Sequence, residues 1–120
     1  MNLIDFLQPD FVFENSAGSL KQLVHDGWKQ VNIITSVGGS VRGGHYHKYN
    51  KEAFYIITGS FKLIVWLRDQ KEEYQIKAGD FFLINENVFH TFEYSEDTWL
   101  ISMYSNGVEM DENTKDIWSE

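Results

Sequence analysis

The feature of this sequence that most limits its fold is a succession of short apolar, β-branched and aromatic runs, each closed by glycine, asparagine or aspartate. Trp28 to Ser36 (WKQVNIITS), Glu52 to Thr58 (EAFYIIT) and Phe61 to Leu67 (FKLIVWL) carry the residue types that pack well on a pleated surface. Gly59-Ser60 is a hairpin turn signal, Arg68 to Lys71 reads as the next turn, and Ala78-Gly79-Asp80 as another. The same texture predicts strands over 73–77, 81–85, 91–94 and 99–104. With one proline and no long helical period, the chain is expected to be all-β, folded as an antiparallel sandwich or barrel. Its 120 residues suffice for one domain, residues 1–120, with the barrel core over about 28–105 and short irregular termini. Phe11-Val12-Phe13 is too apolar for a free tail and is expected to pair with a sheet edge, in the same subunit or a neighbour's. Asp111 to Trp118 is expected to form one or two amphipathic helical turns.

Composition removes several classes of function. The formal net charge is −8, and only Arg42 and Arg68 offer a guanidinium, so nucleic acid is not an expected partner. Cysteine is absent, which excludes disulfides, thiolate metal sites and thiol nucleophiles together. No apolar run approaches the roughly 20 residues of a membrane span, and the acidic start of the chain does not read as a secretory signal. A cytoplasmic location is the resulting expectation. Aromatic residues make up 16% of the chain, more than one small core requires, so some are expected to be buried in a homodimer interface.

Without cysteine, any metal site must use imidazole and carboxylate, and three of the four histidines fall into one pattern. It reads Gly39-x5-His45-x-His47-x4-Glu52-x6-Gly59, followed by Gly79 and then His90. His45 and His47 are two apart, so on a strand both point to one face. Glu52 opens the next strand on the face it shares with Phe54 and Ile56. A bend through Lys48 to Lys51 brings that carboxylate beside the imidazoles, and His90 supplies a fourth donor from a later strand. Three imidazoles and one carboxylate suit a divalent transition metal (Zn, Mn, Fe or Ni) with open coordination positions.

These residues resemble the cupin superfamily, whose first motif is G-x5-H-x-H-x3,4-E-x6-G and whose second is G-x5-P-x-G-x2-H-x3-N. The first is matched at every fixed position. The second keeps Gly79 and His90 but has Asn85, Asn87 and Tyr94 at its other three positions. The resemblance implies a jelly-roll β-barrel of six to eight strands with His45, His47, Glu52 and His90 inside its mouth. Val41-Arg42-Gly43-Gly44-His45-Tyr46-His47-Lys48 is further similar to a branch acting on nucleotide-linked sugars, which includes sugar 3,4-ketoisomerases and cupin domains of capsular polysaccharide biosynthesis. In ketoisomerase-like proteins the paired histidines are metal-free acid/base groups, which implies that role for His45, His47 and His90. In metal-binding cupins the same positions are ligands, and the presence of Glu52 and His90 favours that reading here.

The expected function is therefore a metal-binding cupin acting as isomerase or epimerase on a sugar or nucleotide-sugar in polysaccharide synthesis. The alternatives are a metal-dependent dioxygenase and a non-catalytic module that binds a small ligand. Arg42 reads equally as an anion clamp or as one half of a surface ion pair. Lys48 is a candidate for attracting an anionic substrate. Tyr46 should face away from the histidines. Phe54, Ile56, Phe61, Leu63, Val65, Phe82 and Trp99 are expected to line the core or the pocket, and His25 to sit on a solvated loop.

Overall fold

A computed structural model describes residues 2–119. Its strands are β1 (Ile4–Phe6), β2 (Phe11–Asn15), β3 (Gly18–Gln22), β4 (Gln30–Ser36), β5 (Val41–Tyr46), β6 (Glu52–Thr58), β7 (Ser60–Leu67), β8 (Gln70–Lys77), β9 (Phe81–Ile84), β10 (Phe89–Tyr94), β11 (Thr98–Tyr104) and β12 (Trp118–Ser119). One sheet runs β1-β9-β6-β11-β4 and the other β12-β5-β10-β7-β8, with every pairing antiparallel. The expected all-β jelly roll is what the chain forms, with two five-stranded sheets in place of six to eight strands. The sheets also recruit β1 and β12, which lie outside residues 28–105. Among the described residues, no helix is long and apolar enough to cross a membrane.

Alternation along the strands builds the core between the sheets. Phe54 and Ile56 of β6, Phe61, Leu63 and Val65 of β7, Phe82 of β9 and Phe92 of β10 all point inward and are buried. Phe61 stacks on Phe92 at 4.8 Å between ring centroids, and Phe54 on Phe82 at 5.1 Å. Such ring pairs add about 0.5–1.5 kcal/mol each beyond the area they bury. Two rings of this aromatic layer, Phe54 and Phe92, also line a cavity between the sheets.

Three expectations are corrected. Trp99 is neither core nor pocket lining but 53% exposed, because Thr98, Leu100 and Ser102 take the inward positions of β11 and put Trp99 outside. Phe11-Val12-Phe13 does not add to a sheet edge of its own subunit: β2 pairs with β3 in a separate two-stranded hairpin, all ten residues of which are exposed. The segment 111–118 is not helical. Asp111 caps a turn by accepting from the Asn113 and Thr114 N–H groups, Glu109 and Lys115 form a bridge, and the chain then enters β12.

The strand that carries the histidines approaches its neighbour very closely. At Gly43 φ is +141°, and a Cβ there would lie 2.5 Å from the Thr91 Cα and 2.6 Å from the His90 carbonyl oxygen. Glycine thus allows β5 to lie against β10, with a register shift between His90 and Thr91. Gly43→Ala is expected to cost about 2 kcal/mol or more, from strain plus a backbone clash. Urea unfolding measures this; a change under ~0.5 kcal/mol would mean that the close approach is not needed.

Candidate functional site

Four strands deliver the site. Glu52 and Tyr104 are paired across β6 and β11, and Ser102 is opposite Phe54, so Glu52, Ser102 and Tyr104 share the inward face. His90 on β10 is opposite His45 on β5. His47 lies just past the end of β5, not within it, and the loop through Asn50 returns the chain to Glu52. Between the sheets lies this cavity of about 270 Å³, lined by Ile34, Arg42, Gly43, His45, His47, Glu52, Phe54, His90, Phe92, Tyr94, Tyr104 and Ile117.

The floor of this cavity is a buried cluster. Glu52 Oε1 is 3.0 Å from His47 Nε2 and 3.8 Å from His90 Nε2, and its Oε2 accepts from the Ser102 hydroxyl at 3.0 Å. The His47 and His90 rings are 5.2 Å apart. His47 Nδ1–H donates to the Asp116 carbonyl at 2.6 Å, and His90 Nδ1–H to the Val88 carbonyl at 3.3 Å. With Nδ1 committed as a donor in each ring, both Nε2 lone pairs are directed at a carboxylate. A lone pair facing a carboxylate at 3.0 Å requires a cation between them, either a proton or a metal ion.

The electrostatics divide the two rings. Burial alone would lower His47, but the hydrogen bond and charge of Glu52, with the Asp116 carbonyl, hold its pKa above the ordinary value. Burial dominates at His90, whose pKa is pushed down to about 4 despite the pull of Glu52. His47 therefore favours the imidazolium and His90 the neutral imidazole. Burial, reinforced by Glu52, also raises the Tyr104 phenol and keeps it protonated.

The donor set also fits a divalent ion. One donor atom each from His47, Glu52 and His90 lie within 4.8 Å of one another, so a small side-chain movement would bring them to ligand distances of roughly 2.0–2.2 Å from a shared metal. Each imidazole is already oriented through its other nitrogen, as metal-ligating histidines usually are.

The remaining residues singled out in the sequence are more dispersed. His45 lines the cavity but is exposed at its mouth and stands outside the buried triad. Arg42 lines the cavity as well, with Nε donating to the Ser36 hydroxyl at 3.0 Å and Nη2 to the Thr35 carbonyl at 3.2 Å. It meets no carboxylate among the described residues, so the ion-pair reading does not account for it. Lys48 is not part of the lining; its ammonium sits 3.9 Å over the Trp118 ring. Tyr46 faces away from the cavity and packs on Phe89 at 4.4 Å. His25 is exposed and paired with Asp10. Sequence reasoning missed Tyr104, Ser102 and Asp116. The alternation Leu100-x-Ser102-x-Tyr104 carried the signal for the first two, whereas Asp116 reaches the site only through the tertiary fold.

The two rings have opposite effects on stability. The folded pKa of His90 is below 6.5, so the unfolded chain takes up that proton first and stability is lost as pH falls from 6.5 towards about 4. His47, raised, contributes stability below 6.5 that is lost as pH rises through its folded value. In chelator-treated protein, His90→Gln is expected to lessen the acid-side fall in Tm relative to wild type. Identical acid limbs would contradict the burial of a neutral His90.

A family profile described as Cupin domain matches residues 32–104. A 3-hydroxyanthranilate 3,4-dioxygenase from Burkholderia cenocepacia is 37% identical over 60 residues, which are 49% of this chain and 34% of that enzyme, so the match spans about a third of the relative's length. Among solved structures, the 3,4-ketoisomerase QdtA from Thermoanaerobacterium thermosaccharolyticum, in complex with TDP-4-keto-6-deoxyglucose, superposes with a TM-score of 0.79 at 18% identity. That alignment covers 100% of this chain and 89% of the other. The TDP-quinovose 3,4-ketoisomerase WlaRB from Campylobacter jejuni gives 0.80 at 18% identity over 97% and 93% of the two chains. At these identities the structural likenesses speak for the fold, and the profile match, over more than half of the sequence, for the family. The chain belongs to the cupins.

Proposed function

We propose that this cupin isomerises or epimerises a keto sugar carried on a nucleotide. The observation that carries the reading is the pair of buried imidazoles, His47 and His90, held against one carboxylate at the floor of a cavity with Arg42 in its wall. Moving a carbonyl between neighbouring carbons requires removal of a proton beside the carbonyl, an enediol intermediate and return of a proton to the former carbonyl carbon. Neutral His90 is suited to accept the first proton. The proton held between His47 Nε2 and Glu52 is suited to pass to the developing enolate oxygen. Two titratable groups driven apart in pKa by their surroundings are what such acid–base work needs. His45, at the mouth, is positioned to meet the substrate's hydroxyls, and Arg42 offers paired donors to a diphosphate. The reading is in keeping with the solved structures whose fold this chain shares, a 3,4-ketoisomerase bound to TDP-4-keto-6-deoxyglucose and a TDP-quinovose 3,4-ketoisomerase among them.

A divalent transition metal bound by His47, Glu52 and His90 would supply Lewis-acid polarisation of the carbonyl. The dioxygenase match over 60 residues, together with this donor set, keeps a second reading in view: iron-dependent oxygen chemistry on an aromatic acid. The exposed Phe11, Phe13, Ile33 and Trp99 support the homodimer expected from the aromatic content.

Incubation with TDP-4-keto-6-deoxyglucose in D2O, followed by proton NMR, is expected to show deuterium entering beside the carbonyl. Glu52→Gln and His47→Asn should slow that exchange about 100-fold or more. Arg42→Ala should weaken TDP binding about tenfold or more. No exchange and no binding by the wild type would overturn the proposal, and oxygen uptake with 3-hydroxyanthranilate by iron-loaded protein would favour the second reading.

A further inference from the structure

Asp116 is fully buried and lies outside every motif in the sequence, yet it is tied to the site more densely than any other residue. Its Oδ1 accepts from the Lys48 N–H at 2.8 Å and the Trp118 indole N–H at 2.7 Å. Its Oδ2 accepts from the Tyr49 N–H at 2.9 Å and the Asn50 side-chain amide at 2.8 Å. Three of these four donors belong to the loop immediately after His47. Asn50 in turn ties that loop to the Gly107 carbonyl, and the Asp116 N–H donates to the Val108 carbonyl at 2.8 Å. Four N–H donors occupy the four lone-pair positions of the carboxylate, so Asp116 has no free acceptor for a metal or a substrate proton. What it offers the site is its backbone carbonyl, 2.6 Å from His47 Nδ1.

We infer that Asp116 is a positioning residue for His47: its carboxylate locks the C-terminal segment onto the 48–50 loop, so that its carbonyl, accepting from Nδ1–H, fixes the orientation of the His47 ring. Nε2 is thereby directed at Glu52 and the cavity. The same anchorage puts the next residue, Ile117, into the cavity wall. The C-terminal segment is thus a clasp joining one wall of the site to the orientation of its acid.

The inference rests on the reading of His47 as a working group of the site, but its test reads ring orientation and needs no turnover. In chelator-treated, 15N-histidine-labelled protein, the His47 Nδ1–H is expected to give a downfield ring-proton signal protected from exchange, as a 2.6 Å hydrogen bond to a carbonyl should. In Asp116→Ala that signal should be lost to exchange with water, while the amide signals of β7 and β8 stay in place. Should Asp116→Ala not fold, Asp116→Asn, which keeps one acceptor oxygen, should show the same loss in part. No protected Nδ1–H signal in the wild type, or an undiminished one in a folded variant, would overturn the inference. A failed sugar assay with the expected ring signals would count against the proposed reaction and leave the clasp standing.

Discussion

The structure turns on the carboxylate of Glu52, buried at 4% exposure beneath two imidazoles. Removing a charge from water costs several kcal/mol unless partners replace the solvent. Here the partners come from three directions: His47 from the loop after β5, His90 from β10, and Ser102 with Tyr104 from β11. Each belongs to a different part of the fold, so the carboxylate is satisfied only when both sheets are assembled in register. The close approach at Gly43 and the inward alternation of β11 are the local conditions for that assembly.

The same arrangement makes chemistry available. One carboxylate treats its two imidazoles unequally, because His47 is in hydrogen-bond contact at 3.0 Å while His90 stands at 3.8 Å in a drier setting. Proximity favours the charged form of the first, and burial favours the neutral form of the second. An imidazole that favours its protonated form and one that favours its neutral form thus sit side by side in a cavity whose lining includes the Arg42 guanidinium. The position between His47 and Glu52 suits either a proton or a metal ion, so the two would compete for it.

Much of this was legible in the sequence, for identifiable reasons. Glu52 to Thr58 and Phe61 to Leu67 announced themselves because β-branched and aromatic residues alternate there between turn signals. Period two then placed Glu52, Phe54 and Ile56 on one face, as observed. The fixed spacing of His47, Glu52 and His90 was readable because the short connections between β5 and β10 bring those positions together. Features set by distant contacts were not. Trp99 looked like core because an isolated large side chain carries no information on which of two faces its strand turns inward. His45 and His47 looked equivalent, yet the strand ends at Tyr46, leaving one ring exposed and the other buried. Asp116, 69 residues from His47, left no local trace at all.

If Glu52 holds the site together through His47, the two side chains must be energetically coupled. The most direct measure is a double-mutant cycle in chelator-treated protein, with urea unfolding of wild type, His47→Gln, Glu52→Gln and the double variant. Coupling of about 1 kcal/mol or more at neutral pH is the predicted result, since hydrogen-bonded partners in one buried network do not act additively. Additivity within ~0.3 kcal/mol would contradict the account, because the buried carboxylate would then be indifferent to the imidazole beside it.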